Sequence, residues 1–587
     1  MNQQVKNNIN SNNEPNKTIN PYYLKNEGIS LEDLSKVEMI KAFSNFLRGT
    51  IKEELKNELP YFDENNTQII KFHGMYQQDD RDKRIRTSEG LQKYHQLMVR
   101  CKIPAGNLTR EQYLAMDDLA TQFGNKTLRI TTRQSFQFHG VLKKDVKNVI
   151  KEINRVYLTT IGACGDIVRG VTGPVNVKKD PLIHKVHQVV KQIAEHFYPK
   201  TNAYAEIWLD AQPVSPQLEN EPIYGSQYLP RKFKIGITKA GINSNYFFTN
   251  DLSIAVDFHG NDICGYYFYA GGGMGKTHRD DSTFPALAQY LGWVSKEDLI
   301  PVAEAVVKVQ RDFGNRKDRK HARLKYLIAE RGLNWFREKV EEYSNIKFFI
   351  KEEPVWQDIE YLGWHKAYDG TWSLGVHILS GRIEGKIKTI LRKIAEQYNQ
   401  IAFQTTAEQD IIIFNITDEI KPEIEKLFRI YNYEYLPKDR IYHKAVACPA
   451  LPTCGLAITE SERILPYVLG IINQKLKKYH LEDKAPIFRM TGCPNGCANP
   501  YVAEIALVGR SKDVYALYLG GSRNGTRIAK EITDTITIPE FEEFIDKLFF
   551  YWSKLGKEQY LGDFVNEMFN FMWIIQPISL SLNHKKR

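Results

Sequence analysis

Polar residues dominate the first 28 positions, where Asn and Lys recur with few apolar side chains between them. Such a segment buries too little apolar surface to offset ordering, and it predicts a disordered or loosely docked arm. Regular apolar spacing begins near Leu31. Two later stretches share one pattern. Residues 103–132 (IPAGNLTREQYLAMDDLATQFGNKTLRITT) and 378–406 (ILSGRIEGKIKTILRKIAEQYNQIAFQTT) each read as a strand end, a glycine, an apolar-periodic helix and a strand closing on Thr-Thr. Residues 266–275 (YYFYAGGGMG) and 515–525 (YALYLGGSRNG) both read as an aromatic strand running into a glycine turn. Repeats this far apart predict a duplicated α+β unit, not a solenoid with a period of about 20–50 residues. A pseudo-two-fold molecule offers a seam between its halves, a favoured place for a ligand.

Finer patterns carry candidate chemistry. Residues 69–82 (IIKFHGMYQQDDRD) pass from two apolar positions into dense polarity, as functional loops do. Arg129, Arg133 and Gln137 alternate with Ile130, Phe136 and Phe138, and read as one strand they form a polar side. In Arg231-Lys232-Phe233-Lys234 the same rule places the two lysines on one face and Arg231 on the other. AGGGMGKT at 270–277 has the outline of a phosphate loop with Ala first. Such a loop needs a helix opening at its Lys-Thr, and Pro285 disfavours a helical turn before it, so a glycine turn is expected. The longest apolar stretch, 571–582, is broken by Gln576 and Pro577 and falls short of the roughly 18 residues of a membrane helix.

Length and composition narrow the class. At about 150 residues per domain, 587 residues suggest two to four domains. Apolar residues at 42% and charged residues at 26% exclude a wholly disordered or fibrous chain. The net charge of +10 suits nucleic acid, an acidic partner, or an anionic cofactor and substrate. The polar N-terminus lacks the apolar core of a signal peptide, and a soluble cytoplasmic protein is expected. Of seven cysteines, four fall between 448 and 497, which points to a reducing compartment and a metal site. Cys448 and Cys454 form a C-x5-C pair, and Cys493 and Cys497 a C-x3-C pair. Four thiolates hold either a zinc ion or an iron–sulfur cluster. The wide first pair suits a cluster better, and the Pro and Gly residues between the cysteines leave backbone N–H groups free for its sulfurs. Cys101, Cys164 and Cys264 stand alone and read as small buried apolar residues.

This cysteine spacing, with TGCPNGC at 491–497, resembles the siroheme and 4Fe-4S signature of sulfite and nitrite reductases. FHGMYQQDDRD (72–82), LRITTRQSFQFHG (128–140), YLPRKFK (228–234) and RDFGNRKDRK (311–320) resemble the haemoprotein (beta) subunits of NADPH-dependent assimilatory sulfite reductases. The likeness runs over nearly the whole chain. It implies an α+β fold of two related halves in three domains around a central siroheme and 4Fe-4S cluster. The expected parts are an arm (1–28), an extension wrapping the core (29–90) and a duplicated ferredoxin-like domain (91–161 with 360–435). A first siroheme-binding α+β domain (162–359) and a second carrying the cluster (436–587) complete them.

The resemblance also implies an activity: six-electron reduction of sulfite to sulfide in cysteine biosynthesis. Cys448, Cys454, Cys493 and Cys497 would bind the cluster, and Cys497 would also be the axial ligand of the siroheme iron. Arg100, Arg169, Lys232 and Lys234 match the substrate-facing set. Arg129, Arg133, Gln137, Gln77, Arg231, Asn315, Arg316 and Lys320 are the expected cofactor contacts. Gln78 and Arg81 also come within reach of the rim, and His139 reads as a packed histidine. Nitrite-specialised relatives commonly carry Asn in place of Lys234, so Lys favours sulfite. Two departures stand out: Asn499 where relatives usually have Arg, and Gly455 where Pro is common. Without a dinucleotide fingerprint, the chain would take electrons from a flavoprotein (alpha) subunit that carries FAD and FMN and uses NADPH. Ferredoxin as donor and nitrite as substrate are the near alternatives. A structural-zinc protein binding nucleic acid is a remote one, because the aromatics do not line a basic stripe.

Overall fold

The computed structural model describes residues 28–568 apart from 202, 204–207, 210–211 and 214–220. The expected arm, save residue 28, and the apolar stretch 571–582 lie outside the described residues. The first half opens with strands β1 (Met75–Asp79), β2 (His95–Arg100), β3 (Asn107–Thr109), β4 (Leu128–Ile130) and β5 (Phe136–Val141). Helix α1 (Arg110–Gln122) starts where Thr109 accepts the Gln112 N–H and the Gln112 side chain answers the Thr109 N–H. It buries Tyr113, Met116, Leu119 and Ala120, three and four residues apart. Helix α2 (Pro181–His196), strands β6 (Ile235–Lys239), β7 (Leu252–His259), β8 (Asp262–Ala270) and β9 (Gln289–Ser295), and helices α3 (Leu299–Phe313) and α4 (Leu324–Arg331) follow.

The second half repeats the plan. It has β10 (Gly363–Lys366), β11 (Trp372–Val376), β12 (Arg382–Ile383), α5 (Gly385–Gln397), β13 (Ala402–Thr405) and β14 (Ile411–Ile416). Then come β15 (Val446–Ala447), α6 (Leu465–Tyr479), β16 (Phe488–Thr491), β17 (Ile505–Ser511), β18 (Val514–Leu519), β19 (Lys530–Ile536), α7 (Ile538–Leu555) and α8 (Leu561–Met568). The four-stranded sheet β6-β7-β8-β9 matches β16-β17-β18-β19 of the second half, where β15 adds a fifth strand. Ile235 pairs with Leu252 and Leu252 with Ala270, as Phe488 pairs with Ile505 and Ile505 with Leu519. The duplicated α+β architecture read from the repeats is the one observed.

The other two five-stranded sheets exchange strands. Strand β12 of the second half pairs with β4, Arg382 opposite Arg129, and β3 of the first half pairs with β13, Leu108 opposite Phe403. The junctions match. Gly106 has φ +75° and Gly381 φ +70°, and a Cβ there would lie 2.2 Å from the Thr405 carbonyl oxygen and 2.5 Å from that of Ile130. Only glycine lets each chain pass this close to the other. The Gln134 amide donates to Thr405 O (3.1 Å), and the Gln409 amide donates to Ile130 O (3.1 Å). One apolar core therefore spans both sheets, with Ile130, Phe136 and Phe138 from one half and Phe403, Ile411 and Ile413 from the other. Separate cores lie beneath α3 and α7.

Residues 128–138 form a hairpin and not the single strand expected. The bend falls at 131–135, where Gln134 adopts φ +53° and the Thr131 N–H donates to Ser135 O (2.9 Å). Arg129 and Gln137 thus sit opposite each other, and Arg133 projects from the bend. Among the described residues no helix is long and apolar enough to cross a membrane.

Candidate active site

Arg100 ends β2. Its guanidinium donates from Nε and Nη2 to Gln137 Oε1 (3.2 and 2.7 Å) and from Nη1 to Cys164 Sγ (3.4 Å). Arg169 is 9% exposed and donates from Nε to Gly165 O (2.8 Å). Burial works against its charge, but Tyr76, Cys164 and Asp166 outweigh burial and raise its pKa. Phe233 is buried and bridges to Val168, so Lys232 and Lys234 on either side of it share the opposite face, half-buried. Burial, with Arg231 and Arg323 nearby, pushes Lys232 well below the ordinary lysine pKa. Burial, with Arg133 and Arg323, lowers Lys234 to about 7.

Two carboxylates organise this wall. Asp251 accepts the Lys234 N–H (2.8 Å) and a fork from Arg323 (2.9 and 2.8 Å). Asp166 takes a fork from Arg319 (2.8 and 3.0 Å) and lies 3.7 Å from both Arg231 and Lys41. Burial opposes its charge, yet those cations hold its carboxyl far below the usual range. Burial and Arg319 bring Lys71 to about 8. Arg133 donates to Asn250 Oδ1, Gly170 O (2.5 Å) and Ile235 O (2.8 Å), while its buried Nε has no partner. Cations that depress one another around two acids make a surface suited to oxyanions and to a cofactor rich in carboxylates.

The four cysteines converge beside this wall. Cys448 follows β15 and is held against β16 by its N–H bond to Met490 O (3.2 Å). The Gly492 N–H points at Cys448 Sγ (3.3 Å), and the Asn495 amide at Cys493 Sγ (3.5 Å). Burial, then the charge of Cys497, raises the thiols of Cys448, Cys454 and Cys493, the last to about 11. Cys497 is the exposed member, and its charge also acts on Lys232 and Lys234. Among the described residues no three His, Cys, Asp or Glu side chains could hold a single metal ion. Four thiols that do not close on a single ion, with N–H groups aimed at sulfur, fit a cluster. The 270–277 segment is a turn without a following helix, as expected. Gly272 has no room for a Cβ, whose place lies 2.3 Å from Phe248 O. Further along, the Lys276 N–H donates to Pro494 O (3.0 Å), which docks the turn on the second cysteine pair.

Several expected cofactor contacts are engaged elsewhere. Strand alternation turns Gln77 away, and its amide accepts the Phe62 N–H (2.6 Å) and donates to Phe62 O (3.2 Å). Its neighbours face the site: Tyr76 acts on Arg169, and Gln78 accepts the His139 Nδ1–H (2.8 Å). His139 is buried, as a packed histidine is, and burial drives its pKa well below the usual value. Arg316 is buried against Glu38 (2.6 Å), a carboxylate that needs a cation in the core. Asn315 Oδ1 accepts the N–H groups of Lys317 and Asp318 (2.9 and 2.8 Å). Lys320 is exposed and pairs with Asp280 (3.1 Å). Arg129 pairs with Glu462 (3.1 Å) and donates to Ala447 O (2.8 Å), next to Cys448. Arg81 grips the first cysteine loop. Sequence reading missed Arg319, Arg323 and Cys164. Arg319 lies within the RDFGNRKDRK motif, so the motif marked it. Cys164 carried no local signal and is found at the wall only through its contact with Arg100.

The pattern described as the nitrite/sulfite reductase ferredoxin-like half domain matches residues 89–156 and 365–429, and that of the nitrite and sulphite reductase 4Fe-4S domain matches 191–348. A sulfite reductase [ferredoxin] of Synechococcus elongatus is 41% identical over 569 residues, covering 92% of this chain and 90% of that protein. A sulfite reductase [NADPH] hemoprotein beta-component of Oceanobacillus iheyensis is 41% identical over 546 residues, covering 91% and 94%. The solved structure of the Mycobacterium tuberculosis NirA protein superposes with a TM-score of 0.73 at 22% identity, covering 91% of this chain and 96% of that one.

Proposed function

The chain belongs to the nitrite and sulphite reductase family, and from that membership we propose that it reduces sulfite to sulfide in cysteine biosynthesis, using a siroheme and a 4Fe-4S cluster that share the Cys497 thiolate. One observation carries this reading. Cys497 is the exposed one of the four thiols, and it lies within electrostatic reach of the other three cysteines and of Lys232 and Lys234. When bound, the siroheme supplies the iron at which sulfur is reduced and the cluster supplies electrons singly.

The residues of this chain bind the anion, hold the cofactor and supply protons. Arg100 and Arg169 present planar forks to sulfite oxygens, with Arg100 fixed from behind by Gln137. Lys232 and Lys234 offer compact donors. Each oxygen removed leaves as water, so protons must arrive with electrons. A lysine poised at about 7 gives up a proton near neutrality and takes another from solvent. Arg133, Arg231 and Gln137, joined by Arg319 and Arg323, are the groups in this wall that meet the cofactor's carboxylates. Relatives of matching length named as the hemoprotein beta-component of an NADPH enzyme support a partner subunit that draws on NADPH as the donor. The ferredoxin-named relative supports ferredoxin as the second reading.

The test is Cys497→Ser. Purified holoprotein should contain iron, labile sulfide and a visible tetrapyrrole spectrum, and the substitution should abolish magnetic coupling between the two centres. A variant with unaltered coupled spectra would remove Cys497 from the bridge.

A further inference from the structure

The segment that carries Tyr76 and Gln78 into this wall runs on to contact the first cysteine loop. Arg81 opens a single 3-10 turn (Arg81–Lys83) whose cap, Asp80, accepts the Asp82 N–H (3.2 Å). Its backbone N–H donates to Pro452 O (3.4 Å). Its guanidinium donates from Nη1 to Ala457 O (3.0 Å) and from Nη2 to Cys454 O and Gly455 O (both 3.1 Å). One arginine thus meets four carbonyls of the stretch that presents Cys454. Ala450 and Ala457 of that stretch pack with Cys448, Leu451 and Cys454, but its tip is open. Nothing lies within 4 Å of a Cβ built on Gly455, and Leu456 is 68% exposed. Nearby, Asp82 pairs with Arg463 (2.6 Å), a surface contact that does not touch the cysteine turn. Charge-assisted bonds to carbonyls fix the tip of a turn whose Gly455 and Leu456 lack packing, and a fixed cation beside a sulfur ligand favours the reduced, more negative form of the centre.

We propose that Arg81 is a positioning residue for the iron–sulfur centre: it shapes the Cys454 arm and raises the reduction potential of the cluster. This rests on reading the four cysteines as cluster ligands. If that reading fails, the unsubstituted protein will contain no iron or labile sulfide. If only this inference fails, the cluster will be present and indifferent to Arg81.

The experiment compares holoprotein variants by redox titration followed by electron paramagnetic resonance, and by iron loss to a chelator. Arg81→Gln should lower the cluster potential and release iron faster. Arg81→Lys, which keeps the charge but loses the fork, should retain the potential and release iron at an intermediate rate. Asp82→Asn breaks the adjacent ion pair and should behave as the unsubstituted protein in both readouts. Unchanged potential and iron retention in Arg81→Gln would overturn the proposal, as would an equal shift in Asp82→Asn.

Discussion

At Lys234 the backbone and the side chain serve different ends. Its N–H is anchored to Asp251 (2.8 Å), while its ammonium shares a crowded face with Arg133 and Arg323. Replacing Lys234 with Asn keeps the backbone anchor and removes the charge. Sulfite turnover should fall more than nitrite turnover, because the doubly charged anion loses more from a missing cation. Equal losses in steady-state assays would refute that selectivity. The convergence of the lysines and the four cysteines was legible because each lies in a short motif. Arg323 was not, because its place depends on Asp251, which is remote in sequence and has no signature of its own. Gln77 and Arg316 find partners within the protein for the complementary reason. Both sit in matching motifs, yet strand parity gives one to Phe62 and core charge balance gives the other to Glu38.

Among the elements, the strand–glycine–helix repeats were legible at both ends, since apolar spacing fixes α1 and α5 independently of their surroundings. The hairpin at 128–138 was not, because polar alternation continues across its bend and only Gln134, at φ +53°, betrays the turn. Where the repeats cross, Gly106→Ala adds a Cβ at 2.2 Å from Thr405 O in a left-handed backbone. It should cost at least ~2 kcal/mol of stability, read as a lowered denaturation midpoint. On α2, His187 donates from Nε2 to Pro174 O (2.8 Å) and accepts at Nδ1 from the Asn107 amide (3.1 Å). Burial lowers its pKa to about 4. The unfolded imidazole takes a proton near pH 6.5 and the folded one does not. Stability should therefore be full above that pH and decline as pH falls toward 4, by about 1–3 kcal/mol. His187→Gln should flatten this slope in urea titrations at pH 7 and pH 5, and an unchanged slope would assign the acid sensitivity to other groups.

In the whole molecule the two halves keep a common frame and diverge in charge. Ile487 occupies the place of Lys234, and its N–H meets Glu504 (2.8 Å) as that of Lys234 meets Asp251. The second half thus repeats the scaffold without the lysine, and the basic wall belongs to the first. The chain has no fingerprint for a dinucleotide, and the proposed electron donor is a separate protein. NADPH should not be consumed by the purified chain alone, and adding the flavoprotein should start sulfide production. Faster turnover with reduced ferredoxin would assign the donor the other way.

The exchange of β3 and β12 also constrains synthesis. A ribosome has released residue 109 long before residue 402 exists, and the nascent first half must wait with an unpaired strand on one side and an open sheet edge at β4 on the other. Such edges are aggregation templates while they last. Neither half, translated from a severed message, can close its own sheet. The polypeptide matures as one piece or not at all, and truncated products should collect as insoluble material.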